Sequence, residues 1–308
     1  MIDPAIQDRL RGCAVGAAIG DALGMPLEFG PPSPENALVR EMQAGRMPAG
    51  SFTDDTEMAI ALAESLLFQK PLDTNDLIQR FVAWFHTNPP DIGIQTSRIL
   101  SWLASGHPFG EVLARTQLEM PDSAGNGSLM RCWPVALAWL KGRPERIADT
   151  RLQSQITHPH PDCQAACVFV NLMIVDLIQG VPKQEAFQAA LQSVELSDNF
   201  RQMIEKAPRQ QRKDLQNTGW VRHTLESAIW GLMTTNSFSE AVVQVANLGQ
   251  DADTAASVTG ALAGAAYGLS AIPAAWQEQL QGQWPPHSGD LLRTDDFIRI
   301  ADALADVE

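Results

Sequence analysis

Positive charge is scarce in this chain of 308 residues: 22 Lys and Arg stand against 36 Asp and Glu, a formal net charge of −14. No local basic stripe offsets that balance, which argues against nucleic acid as a partner. Cysteine is sparse too. Cys13, Cys132, Cys163 and Cys167 are too few for a disulfide scaffold and read as reduced thiols of a cytoplasmic protein. The N-terminus has no basic stretch followed by an apolar one, so no signal peptide is expected. A convincing membrane span is missing as well. Residues 256–276 are uncharged and carry Gly260, Gly264 and Gly268, but they are mostly Ala, Gly, Ser and Thr and are interrupted by Pro273. A buried, closely packed core helix and no membrane partner are expected there.

Period-2 runs of Val, Ile and Thr are absent, and so are strand–helix alternations. Apolar residues instead recur at three- and four-residue spacing, as in Met58, Leu62 and Leu66, or Leu225, Ile229 and Leu232. With 45% hydrophobic residues, the chain reads as an all-α globular protein of about a dozen helices. Proline-marked loops punctuate it regularly, none long enough to be a domain linker, so one domain over residues 1–308 is expected. Residues 206–218 hold the one basic cluster, read as an exposed loop or frayed helix end. Two glycine seams stand out: Gly12, Gly16, Gly20 and Gly24, and Gly260, Gly264 and Gly268. Each glycine costs a helix about 1 kcal/mol relative to alanine, so a stripe of them implies an offsetting close backbone approach, with the two seams candidates for each other. The first seam is no dinucleotide loop, because its spacing is not G-x-G-x-x-G and no strand precedes it.

The sharpest chemistry lies in two acidic clusters. Thr53-Asp54-Asp55-Thr56-Glu57 precedes the amphipathic run from Met58, and Asp251-Ala252-Asp253-Thr254 precedes the second glycine seam. One carboxylate at a helix start is explained by capping and the helix dipole. Two adjacent ones exceed that explanation. If the loops meet, four carboxylates repel unless protonated or neutralised, and two divalent cations would cancel them. Oxygen ligands favour Mg²⁺ or Mn²⁺ over Zn²⁺. From the residues alone, a binuclear site and two unrelated caps both remain open.

Weaker signals accompany these. Gly125-Asn126-Gly127-Ser128 is a glycine-rich turn ahead of a helix expected to run to about Leu140, able to offer N–H groups to an anion or sugar. His158, His160, Cys163 and Cys167 can be drawn as a zinc motif, but the four-residue Cys step is atypical, and a packed histidine with thiols on an apolar helix face is the preferred reading.

Taken in order, GCAVGAAIGDALGMPLEF (12–29), FTDDT (52–56), GNGSLMR (125–131), THPHPDC (157–163), TGWVRHTLESAIW (218–230) and NLGQDADTAASVTGALAGAAYG (247–268) resemble the ADP-ribosylglycohydrolase family. The resemblance runs from about residue 9 to 270. It implies a compact, single-domain, all-α orthogonal helical bundle with two Mg²⁺ or Mn²⁺ ions at the base of a cleft. Thr53, Asp54 and Asp55 would supply ligands from one side and Asp251, Asp253 and Thr254 from the other. Glu28 matches the family's acidic residue beside the metals, and Glu28 and Asp55 are the catalytic candidates. Asn126, Gly127 and Ser128 would lie along the ribose and diphosphate, His158 near the distal part of the ligand, and Trp220 where an indole can stack on adenine.

The implied reaction is hydrolysis at C1″ of ADP-ribose carried by a protein or small molecule, through an oxocarbenium-like state. Hydrolysis of a free nucleoside or nucleotide-sugar at the same metal site, and non-catalytic ADP-ribose binding, are the alternatives. Many relatives carry glycine where this chain has Gln250. The loops expected to select the acceptor, roughly 30–50, 86–96 and 206–218, leave arginine, serine, nucleic-acid and small-molecule acceptors open.

Overall fold

A computed structural model describes residues 3–287 and 291–306. Among them are fifteen α-helices: α1 (Pro4–Gly24), α2 (Asp54–Phe68), α3 (Thr74–Phe85), α4 (Ile94–Ala104), α5 (Phe109–Glu119), α6 (Trp133–Ala138), α7 (Arg143–Thr157), α8 (Pro161–Ile178), α9 (Lys183–Ser193), α10 (Asp198–Lys206), α11 (Val221–Thr234), α12 (Phe238–Ala246), α13 (Ala252–Tyr267), α14 (Ala274–Gln279) and α15 (Thr294–Asp306). The all-α expectation holds, with one small addition. Gly282–Gln283 and Leu291–Leu292 pair as a two-residue antiparallel ladder, too short to leave a periodic signal.

The two glycine seams face each other, and they organise the core. A Cβ built on Gly12 would lie 2.5 Å from the Gly264 oxygen, one on Gly16 2.4 Å from the Gly260 oxygen, and one on Gly20 2.0 Å from the Ala256 oxygen. The pairing is antiparallel, so the C-terminal end of α1 meets the N-terminal end of α13. There a Cβ on Gly24 would sit 2.4 Å from the Asp253 Cα. No side chain larger than hydrogen fits between these backbones. Around this pair pack α8, α11, α12 and α15, while α2 leans on α1, α3, α6 and α15. One helix among the described residues, α8, is long and apolar enough to cross a bilayer, and 83% of it is buried inside the fold.

Several boundaries differ from expectation for local reasons. Helix α2 begins at Asp54 rather than Met58, so both aspartates lie inside its first turn. The helix after the glycine-rich turn is short, Trp133–Ala138, because residues 126–131 coil into turns before it. The uncharged stretch ends its main helix at Tyr267, where Gly268 adopts φ +86° against Asp8. The basic cluster forms two 3-10 turns, and Arg212 donates to the carbonyls of Ser33 and Asn247, which ties it to the body.

The C-terminal segment positions the start of α2. Phe52 N–H donates to the Gln281 carbonyl at 3.3 Å, and Gln281 N–H to the Gly50 carbonyl at 2.9 Å. The Phe52 ring is fully buried, edge-on to Phe297 of α15 with centroids 5.6 Å apart. This anchor lies one residue before the first ligand candidate.

Candidate metal centre

Residues beginning α2 and α13 meet, as the binuclear alternative needs, and α1 brings a third participant. Asp21, fully buried, accepts hydrogen bonds from the N–H groups of Thr53 (2.9 Å) and Thr56 (3.2 Å) and from both threonine hydroxyls (2.9 and 2.6 Å). It therefore caps α2 from another helix. Asp54 and Asp55 are not needed as caps, and neither Thr53 nor Asp251, the residues preceding the two helices, makes a side-chain cap bond. The capping account fails for Asp54, Asp55 and Asp251 on that geometry, while Asp253 Oδ1 accepts from the Thr254 N–H at 2.9 Å in the first turn of α13.

Carboxylate oxygens of Asp21, Asp55 and Asp253 lie within 4.8 Å of one another, all three residues buried. A second group, Glu28, Asp91 and Asp253, meets the same limit on the outer side and shares Asp253. Asp54, Asp251 and Thr254 line the same cleft. The Thr254 hydroxyl lies 3.3 Å from Asp55 Oδ2, while Asp55 Oδ1 is buried without a hydrogen-bond partner. Thr53 sits behind the cleft with its hydroxyl on Asp21.

Burial and mutual repulsion set the electrostatics. Burial first, then Asp253, pushes Asp21 up to about 7 against the pull of its threonine hydrogen bonds. Asp251 reaches about 7 for the same two reasons, opposed by Asn126. Asp54 and Asp55 are driven well above the ordinary carboxylate range, chiefly by burial and then by neighbouring aspartates. Glu28 is raised by burial, Asp253 and Asp91, with Arg46 acting in the opposite sense. Such a cluster favours protons or cations over bare ionisation. The orphaned Asp55 oxygen and the all-oxygen donor set fit a hard divalent cation.

Glu28 reaches the cleft through a strained clip. Phe29 and Gln250 both have positive φ, +63° and +55°. Phe29 N–H donates to the Gln250 carbonyl (2.6 Å), and Gln250 N–H to the Gly30 carbonyl (2.8 Å). Left-handed backbone at position 250 explains why glycine suits it and glutamine pays strain there.

The cleft encloses about 730 Å³, a size suited to a nucleotide-like ligand. Its far wall is the glycine-rich turn, bridged to the start of α11 by Asn126 N–H on the Gly219 carbonyl at 3.1 Å. The Asn126 amide nitrogen donates to Asp251 (2.6 Å) and Thr224 (2.8 Å), leaving its carbonyl oxygen for a ligand. Gly127 leaves room for His158: a Cβ there would lie 2.8 Å from His158 Cε1. His158 is buried and lowered well below its ordinary pKa by burial and then Arg131, so it is neutral. Fully buried Arg131 donates to Thr157 Oγ1 at 2.8 Å, leaving that hydroxyl free to donate to His158 Nδ1, the tautomer with its proton on Nε2.

Two expected contacts lie elsewhere. The Ser128 side chain turns into the core, 2.8 Å from the Ser154 hydroxyl, because the turn rotates it away from the cleft. Trp220 is 37% exposed, edge-on to His223 and under Arg222, beside rather than among the lining residues. The histidines and cysteines of the zinc-like motif are dispersed: His160 caps α8, and the Cys163 thiol faces the Gly125 carbonyl.

Comparison with known proteins bears on the family and the fold. A family model described as ADP-ribosylglycohydrolase matches residues 2–308. This chain belongs to the ADP-ribosylglycohydrolase family. It is 34% identical over 290 residues to an ADP-ribosylarginine hydrolase of Serratia proteamaculans, covering 90% of this chain and 76% of that one. It is 33% identical over 291 residues to the ADP-ribosyl-[dinitrogen reductase] glycohydrolase of Rhodospirillum rubrum, covering 91% and 92%. A solved ADP-ribosylglycohydrolase-related protein complex matches the fold with a TM-score of 0.81 and 32% identity over 98% of both chains. Within this chain, sequence reasoning missed Asp21, Arg46 and Asp91. Asp21 carried a signal, as the one acid in the small, apolar stretch 12–24; Arg46 and Asp91, in irregular loops, carried none.

Proposed function

We propose that the chain hydrolyses the glycosidic bond at C1″ of ADP-ribose attached to a protein or small-molecule acceptor, with two Mg²⁺ or Mn²⁺ ions as cofactors. The observation that carries this reading is the buried Asp21–Asp55–Asp253 group with its unpartnered Asp55 oxygen, at the edge of a cleft closed by the glycine-rich turn. Asp54, Asp55, Asp251 and Asp253, with Glu28 and the Thr53 and Thr254 hydroxyls, would hold the ions. When bound, they supply positive charge that orients the sugar hydroxyls and acidifies a water.

This chain's own groups do the rest. The Asn126 carbonyl accepts from a ribose hydroxyl, held in place by Asp251 and Thr224. Gly125 and Gly127 let the ligand approach the turn, and neutral His158 donates from Nε2 without adding charge. Glu28, at the outer side of the cleft, accepts a proton as water adds to C1″. The C1″–N or C1″–O bond breaks, its electron pair leaves with the acceptor, and Asp55 stabilises the positive charge on the sugar ring. Names of the relatives support ADP-ribosylated protein, arginine-linked in one case, as the substrate class.

The test is chromatographic measurement of ADP-ribose released from ADP-ribosylated arginine and serine peptides, with Mn²⁺ or with chelator. Metal-dependent release, lost in a folded Asp253→Ala variant, is expected. Hydrolysis of free nucleosides without release from either peptide would overturn the assignment.

A further inference from the structure

The two carboxylate groups differ in what already occupies them. Among the described residues, nothing cationic pairs with the inner group of Asp21, Asp55 and Asp253 except Arg46 at the shared Asp253. The outer group is filled by a side chain of the protein itself. Arg46 Nη1 donates to Glu28 Oε2, Nη2 donates to Asp91 Oδ2, and the same nitrogen lies 3.3 Å from Asp253 Oδ2. The guanidinium thus spans all three outer carboxylates, and it also lies 5.6 Å from the Phe29 ring centroid. Arg46 comes from the irregular segment between α1 and α2, and its side chain is 30% exposed.

We propose that Arg46 is a tethered cation that competes with a divalent ion for Glu28, Asp91 and Asp253, so that the outer metal position fills only when the segment carrying Arg46 gives way. This rests on the binuclear reading above, from which it takes Glu28 and Asp253 as ligands and to which it adds Asp91. A planar guanidinium and a metal ion cannot use the same oxygens at once, since each needs the lone pairs the other takes. An arginine is always charged, so no change of pH near neutral discharges it, and a metal ion must displace it. The apparent affinity of the outer position is therefore reduced by the fraction of molecules in which Arg46 is seated, while the inner position escapes that penalty. The two ions bind in unequal steps, and the outer one exchanges readily. Asp91, on the loop before α4, becomes part of the outer position and couples that loop to metal loading.

Mn²⁺ titration of the full chain by calorimetry, with spin resonance to count bound ions, tests this on the native protein, Arg46→Gln and Arg46→Lys. The expected result is an inner step unchanged within about twofold and an outer step tightened by about tenfold or more in Arg46→Gln, with Arg46→Lys intermediate. In the native chain, filling the outer position should speed amide hydrogen exchange across residues 40–49. An outer step unchanged or weakened in Arg46→Gln, or exchange that slows on loading, would make Arg46 a support of the site and overturn the competition. Uptake of no ion by any of the three proteins would instead remove the binuclear reading beneath it.

Discussion

Asp21, Asp55 and Asp253 stand on three helices whose backbones are in contact, whereas Glu28 and Asp91 stand on irregular chain and are joined to Asp253 through Arg46. On the inner side, the glycine seam leaves no space for adjustment: Asp21 and Asp253 follow from how α1 and α13 meet. On the outer side, the geometry is held by side-chain ion pairs, which are weaker constraints than packed backbone. The difference separates a preformed half of the cleft, built with the core, from a half that can rearrange when a cation or ligand arrives.

The strongest challenge to this division is Asp55→Asn. Activity of the metal-loaded enzyme should fall by about a thousandfold, about 4 kcal/mol in the barrier. Its melting temperature without metal should hold or rise, because a neutral amide replaces a buried carboxylate. Full turnover in this variant would show that the inner group is not the working half.

Gly20→Ala tests the seam directly. With its Cβ 2.0 Å from the Ala256 oxygen, the substitution should cost about 3 kcal/mol by denaturant titration. Gly93→Ala, on the loop side, meets nothing nearer than Thr96 Oγ1 at 3.8 Å and should cost under about 1 kcal/mol. Equal losses would erase the contrast between the halves.

Acidity sharpens it next. Asp21 and Asp251 titrate at about 7 in the folded chain, above their unfolded values. The folded form therefore binds more protons, so the stability they contribute is complete below the ordinary carboxylate range and is lost as pH rises through about 7. A divalent ion should replace those protons. At a fixed Mn²⁺ concentration about a hundredfold above the dissociation constant, stabilisation should reach about 2.7 kcal/mol near neutral pH and above, and shrink toward about pH 5. A gain in melting temperature as large in acid as in base would contradict the cluster's charge state. Trp220→Ala, at the mouth and outside both halves, should have the smallest effect: a KM raised about threefold with kcat unchanged.

Much of this was legible from local pattern. Three- and four-residue apolar spacing gave the helical class, and the repeated glycines announced a close helix pair because their intrinsic cost demands one. Paired aspartates ahead of two helices exceeded what capping needs, which marked Asp54, Asp55, Asp251 and Asp253 before any coordinates. Ser128 was misplaced because a turn's rotation depends on how its ends are tethered, here by Gly219 and α7, far along the chain. Arg46 and Asp91 were invisible because a single charged residue in an irregular loop carries no periodicity or spacing.

The chain's sequence alone determined that it is helical, that two glycine stripes must find tight partners, and that acids crowd two helix starts. Each is a local property, written in spacing and intrinsic cost. Tertiary structure alone decided that Asp21 caps α2 and releases its aspartates, that Asp253 belongs to both carboxylate groups, and that Arg46 occupies the outer one. Those facts depend on distances between segments up to about 230 residues apart, which only the packing of one backbone against another can set.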